Sequence, residues 1–281
     1  MGKSRSMTSV VPALRSDSWQ WPPMVRVSVG WHLVALGTAL TVPGAVPWAI
    51  AAVLLNHALI TAAGLTPRSS LLGQNLTRLP AAARARREVA ITIDDGPDPE
   101  VTPQVLDLLD AHGQRATFFC IAERVAAHPA LAREIVARGH SIQNHTARHR
   151  HNFSFLGPRG FEAEISQAQQ LLFEVTGERP SCFRAPAGLR NPFLAPVLHR
   201  LGLSLVSWTR RGFDTRERDA AAVLARLARD LEPGDILLLH DGNAARTNDG
   251  RAVVLAVLPP LLERIRTDGL RAVTLPEALA A

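Results

Sequence analysis

Two places in the chain combine residue types and spacings that suit hydrolytic chemistry. In ITIDDGPDP, residues 91–99, Asp94 and Asp95 sit side by side directly after a short apolar run. In NHTARHRHN, residues 144–152, His145 and His149 are four apart and His151 stands close by. Alone, the first stretch also reads as a polar turn, since Asp, Gly and Pro all favour turns. The second also reads as a solvated His/Arg loop. Taken together they offer two imidazoles and a carboxylate, a donor set that zinc takes readily while keeping one position open for water.

Such groups need a frame that brings them together. From Glu88 onward, apolar strand-like runs (VAITID, ATFFCIA, SIQNHT, SCFRAP, SLVSW, DILLLHD) alternate with amphipathic helical stretches. PEVTPQVLDLLDAHG, for example, carries Val101, Val105, Leu108 and Leu109 at helical spacing and stops at Gly113. A βαβα series predicts an α/β fold with a parallel sheet, open or closed into a barrel. Reactive groups in these folds collect at the C-terminal ends of strands. Asp94, Asp95, His145, His149, Arg184, Asp214 and His240 all fall at such ends.

With both motifs in view, the chain from about Glu88 to its end resembles the polysaccharide deacetylases, the fourth family of carbohydrate esterases. TIDDGP is similar to the family's Thr-Phe-Asp-Asp-Gly-Pro, with Ile93 for Phe. HTARH fits His-Ser/Thr-x-x-His, RAPAG resembles Arg-x-Pro-Tyr-Gly, and LLLHD the late Leu-x-His motif, all in the family's order. The resemblance implies a distorted (β/α) barrel. It also implies that Asp95, His145 and His149 hold a divalent metal, zinc foremost, and that Asp94 is the general base toward the attacking water. Arg184 would pair with Asp94, the backbone N–H of Ala187 would complete the oxyanion hole, His240 would be the general acid, and Leu238 would line the acyl pocket. Two departures stand out. Ala187 replaces an aromatic wall residue, and the family's Asp-x-x-Asp-Trp motif is absent. SWTRRGFDT offers Trp208 and Asp214 instead, with Asp214 expected to orient His240 and Arg211 expected to contact an anionic substrate.

The N-terminal quarter has a different character. Val27 to Pro67 contains no Asp, Glu, Lys or Arg, and Arg26 and Arg68 bracket it. A bilayer-spanning helix takes about 20 residues, so the run accommodates two. Pro43, Gly44 and Pro47 would break it into a hairpin. A cleaved signal peptide fits poorly, because its apolar core is shorter. A buried hairpin in a soluble domain is the other reading, to which His32, Asn56 and His57 lend weight. The expected organisation is a basic tail (1–25), a membrane segment (26–66), a linker (67–87) and a catalytic domain (88–281). Basic residues on both flanks favour a hairpin with both ends cytoplasmic.

The net charge of +6 and pI of 10.9 come from a small Arg excess, with no basic stripe interleaved with aromatics. Nucleic-acid binding is therefore not expected. Cys120 and Cys182 lack zinc-knuckle spacing and sit in apolar surroundings, which suits buried thiols. The functional expectation is a membrane-anchored, metal-dependent hydrolase removing an N-acyl group, acetyl by resemblance, from an amino sugar of a glycan or lipid-linked saccharide. Deformylation, O-acetyl ester hydrolysis and a non-catalytic glycan-binding role are the alternatives.

Overall fold

The computed structural model describes residues 19–280; the basic residues Lys3, Arg5 and Arg15 of the expected tail lie outside them. Two helices come first, α1 (Pro23–Thr41) and α2 (Val46–Gly64), joined by a turn in which Gly44 takes a left-handed φ of 77°. Each has 19 residues, about 28 Å of helix, and is long and apolar enough to cross a membrane. Most of their apolar side chains, among them Leu33, Leu40, Trp48 and Leu54, face outward. Their polar side chains instead pair with each other. Asn56 Nδ2 donates to Ser28 Oγ at 2.8 Å, and the Nε2 atoms of His32 and His57 are 3.2 Å apart. Internal pairing of this kind removes most of the cost of polar groups in an apolar medium.

The remaining elements follow in chain order: α3 (Ala81–Ala85), β1 (Glu88–Asp94), α4 (Thr102–Ala111), β2 (Ala116–Cys120), α5 (Ala122–Ala127), α6 (Pro129–Ala137), β3 (Ser141–Asn144), α7 (Pro158–Thr176), β4 (Cys182–Phe183), α8 (Leu194–Leu201), β5 (Ser204–Leu205), β6 (Arg210–Arg211), α9 (Ala220–Ala228), β7 (Ile236–His240), α10 (Val253–Thr267), β8 (Arg271–Ala272) and α11 (Leu275–Leu279). The strands pair in parallel in the order β5-β4-β3-β2-β1-β7-β6, with β8 beside the start of β1. The sheet curls into a half-barrel.

Strand alternation decides what enters that half-barrel. Val89, Ile91, Ile93, Phe118, Leu237 and Leu239 join the large core beneath the helices. The alternate residues Ala90, Phe119, Ile236 and Leu238 form a second cluster with Cys182 and Trp208 inside the curl. Thr92, Asp94 and His240 share that inner parity. Both cysteines are buried and free.

Residues 67–87, expected as a linker, are packed against the domain. Leu76 N donates to Leu205 O, Ser207 N donates to Leu76 O, and Leu79 N donates to Gly234 O. The segment thus ties the end of β5 to the start of β7 across the open side of the sheet, with Leu72, Leu79 and Ala83 buried. The foot of the hairpin is joined to the same region. Arg190 N donates to Gly64 O, its guanidinium reaches Ser69 O, and Leu72 packs with Val25 and Ala63.

A Cβ on Gly64 would run into the carbonyl oxygen of Arg190. Gly64→Ala should therefore weaken the joint by about 1–3 kcal/mol. Hydrogen exchange should rise across residues 64–76 while β1 keeps its protection.

Candidate active site

Asp94 is the last residue of β1 and points into the half-barrel, where it is buried. Arg184, just after β4, is 1% exposed and donates through Nη1 to Asp94 Oδ1 and to Thr92 Oγ1, both at 2.7 Å. Its Nη2 reaches Ser207 O at 2.9 Å, and the guanidinium lies 4.1 Å from the centre of the Phe119 ring. A buried guanidinium needs this many partners to offset its desolvation.

One residue on, Asp95 turns away with a left-handed φ of 72°. Its Oδ1 lies 3.2 Å from His145 Nε2 and 3.3 Å from His149 Nε2, and it has no hydrogen-bond partner. His145 Nδ1 is 2.8 Å from Arg184 O, so it carries the proton and leaves the Nε2 lone pair free. Asn243 Nδ2 donates to Asp95 Oδ2 at 3.0 Å. Asn144 Oδ1 and Thr146 Oγ1 accept the backbone N–H groups of Thr146 and His149, fixing the loop that carries both imidazoles. Asp95, His145 and His149 are the group whose ligand atoms converge; His151 lines the cleft outside it.

Burial pushes Asp95 upward, but the close His145 ring and the charges of His145, His240 and His149 outweigh it and hold the carboxyl far below its ordinary range. Burial and the His145 charge push His149 down to about 4. Burial also opposes charge on His145, yet Asp94 and Asp95 raise it. Two imidazoles beside one carboxylate, one of them kept neutral, suit a cation better than a pair of protons.

His240 ends β7, in register with Asp94. Asp214 grips it twice, with Oδ1 2.9 Å from Nδ1 and Oδ2 accepting the backbone N–H at 2.7 Å. Burial lowers His240, but Asp214, Asp94 and Asp95 together push it up to about 9.

The cleft above these groups has a volume of about 600 Å³. Ala187, Leu238, Trp208 and Arg211 all line it, so the structure brings every sequence-predicted site residue to one place except Asp214 and Arg184, which support it from beneath. Ala187 takes a left-handed φ of 53°, and the loop is wedged at Gly188, where a Cβ would meet Pro67 at 2.6 Å and Trp208 at 2.8 Å.

Sequence reasoning missed Thr92, Asn243 and Asp241. Asp241 is buried, accepts from Thr102 Oγ1 at 2.5 Å and Gly242 N at 2.8 Å, and fills the space a side chain at Gly96 would need. Burial pushes its carboxyl up to about 6. The Asp-Gly pair after His240, matching the Asp-Gly pair after Asp94, was the available signal.

The polysaccharide deacetylase family profile matches residues 81–206. A peptidoglycan-N-acetylglucosamine deacetylase of Bacillus cereus is 36% identical over 193 residues, covering 68% of this chain and 87% of that protein. A chitooligosaccharide deacetylase of Azorhizobium caulinodans is 34% identical over 198 residues, covering 67% of this chain and 92% of its own. Among solved structures, the family 4 carbohydrate esterase from Streptomyces lividans in complex with acetate is similar with a TM-score of 0.61 at 31% identity, covering 68% of this chain and 94% of the other.

Removing the buried guanidinium leaves Asp94 without its ion-pair partner. Arg184→Met should lower the unfolding free energy by about 3–5 kcal/mol, read from the urea midpoint. An unchanged midpoint would show that the pair is not structural.

Proposed function

The chain belongs to the polysaccharide deacetylase family, hydrolases that act on N-acetyl amide bonds, and we propose that it removes the N-acetyl group from an amino sugar, using a divalent cation held by Asp95, His145 and His149. The observation that carries this reading is the unpartnered Asp95 Oδ1 between two imidazole nitrogens, beside a second carboxylate fixed by a buried arginine. The donor set of two nitrogens and one oxygen suits zinc. When bound, the cation lowers the pKa of a water molecule and polarises the acyl carbonyl.

The side chains supply the rest. Asp94 takes the proton of the attacking water; its Oδ1 is held by Arg184, and its Oδ2 lies on the His145 side, 3.9 Å from Nε2. The Ala187 N–H at the cleft wall serves the developing oxyanion. His240, kept protonated by Asp214, donates its proton to the departing amine. Leu238 lies between the Asp94 and Arg211 strands, level with Thr92 and so below Asp94, and provides an apolar seat for the acetyl methyl.

The helical hairpin is read as a membrane anchor, because its apolar faces point outward and its polar groups pair inward. Two spans return the domain to the side of the N-terminus, and the flanking arginines make that side the cytoplasm. The hairpin foot adjoins the cleft wall at Pro67, Gly188 and Trp208, which favours a lipid-linked saccharide presented at the membrane surface.

The test is amine release from N-acetylated amino-sugar oligomers by the full chain in detergent. Activity should require zinc and disappear on chelation. Asp94→Asn should lower kcat by about 10²–10⁴-fold with zinc still bound. Zinc binding without turnover on any such substrate would overturn the reading.

His240 acts while protonated, so activity should persist below its raised pKa and fall as pH rises through it. Asp214→Asn removes the charge that raises this pKa. The alkaline limb of the kcat/KM profile should therefore move to lower pH. An unmoved limb would assign the proton donor elsewhere.

A further inference from the structure

The one-residue alternation of β6 sends its two arginines to different fates. Arg210 is bound by Asp235 and by the carbonyl oxygens of Arg229 and Asp230. Arg211 faces the cleft, and among the described residues its guanidinium makes no hydrogen bond and no ion pair. Its Nε is enclosed without a partner. What holds it is aromatic: its guanidinium carbon lies 5.3 Å from the centre of the Trp208 ring and 5.0 Å from that of Phe213. Ring faces favour a cation but leave every N–H donor unsatisfied in the ring plane. Burial accordingly presses its pKa below the ordinary arginine value.

Arg216 projects from the next turn into the same cleft, exposed and without an ion-pair partner among the described residues. The other cleft arginines differ, since Arg124 donates to Asn243 and Arg148 to Glu123. The acids of the floor are likewise engaged, Asp94 by Arg184 and Asp95 by the two imidazoles. Two unpaired cations therefore stand on the wall carrying Trp208. A planar guanidinium with free parallel donors matches the paired oxygens of a carboxylate or phosphate.

We propose that Arg211, with Arg216 beside it, binds an anionic substituent of the substrate, a carboxylate on the saccharide or a phosphate joined to it, and so selects charged amino-sugar glycans over neutral ones. This rests on the deacetylase reading and names the class of substrate that reading leaves open.

The test uses the full chain in detergent, loaded with zinc, and three saccharides: a neutral N-acetylglucosamine oligomer, the same oligomer bearing lactyl carboxylates, and an N-acetylglucosamine disaccharide on a polyprenyl diphosphate. The wild type should favour one charged substrate over the neutral one in kcat/KM, and that substrate identifies the anion as carboxylate or phosphate. Arg211→Met should reduce the preference about tenfold or more, chiefly through KM, and Arg211→Lys should restore part of it. The charged substrate's KM should rise with ionic strength in the wild type and much less in Arg211→Met. No preference in the wild type, or an equal loss on all three substrates in Arg211→Met, would overturn the proposal. Binding of the same saccharides to chelated protein is measured in parallel. Absence of turnover on all three would overturn the deacetylase reading alone. The anion site would then stand if Arg211→Met weakens binding of a charged saccharide about tenfold, and fall if it does not.

Discussion

Arg184 inside the half-barrel fixes both halves of the candidate catalytic centre. Its side chain holds Asp94 and Thr92 on β1 and the carbonyl groups of Val206 and Ser207 beyond β5. Its own backbone carbonyl accepts the Nδ1 proton of His145. One residue thus sets the direction of the proposed base and the tautomer of a proposed ligand. A charge this deeply buried is stable only with its partners complete, so any shift of β1 against β4 exposes an unpaired donor. The strands are locked in relative position by the cost of that exposure rather than by the few ladder bonds of the two-residue strands.

Around this fixed point the backbone carries strain. Asp95, Thr146, His149 and Ala187 all adopt left-handed φ values, which cost non-glycine residues of order 1 kcal/mol each. The strain has identifiable supports. Asp241 fills the space behind Gly96, Asn144 and Thr146 side chains hold the histidine loop, and Pro67 and Trp208 clasp Gly188. The left-handed turn after Asp94 separates two neighbouring carboxylates. One keeps the inward direction of the strand alternation toward Arg184, and the other swings toward the imidazoles.

Much of this was legible in the sequence. Parallel strands buried on both faces leave unbroken apolar runs, so β1, β2 and β7 stood out, and the chemistry at their ends followed. The unit Val253–Thr267 was missed because Pro259 and Pro260 inside it mask a buried helix. The two-residue strands β6 and β8 are too short to leave a pattern. The 67–87 segment showed no periodicity because it packs through isolated residues, Leu72, Leu76 and Leu79, and not through a regular face. Asp214 could be paired with His240 only through the resemblance, because SWTRRGFDT stands in for the family's missing Asp-x-x-Asp-Trp motif. Asn243 could not be paired with Asp95, since nothing in a chain separation of 148 residues announces a single hydrogen bond.

The charges of the molecule gain meaning only where compensation stops. The pI of 10.9 suggests a generally basic surface, yet many arginines are spent locally: Arg78 on Glu232 and Asp235, Arg86 on Glu88, Arg138 on three acids of α4 and α6. Within the cleft the acids are likewise matched one by one. Trp208 joins these two features, because one face of its surroundings clasps Gly188 against Pro67 at the hairpin foot and the other carries Arg211. The wall that contacts the hairpin is therefore the wall that carries the uncompensated charge. On the proposed reading, a headgroup at the apolar boundary of the hairpin and an anion held beside Trp208 would occupy one continuous surface, so that substrate charge and membrane position would act as a single requirement.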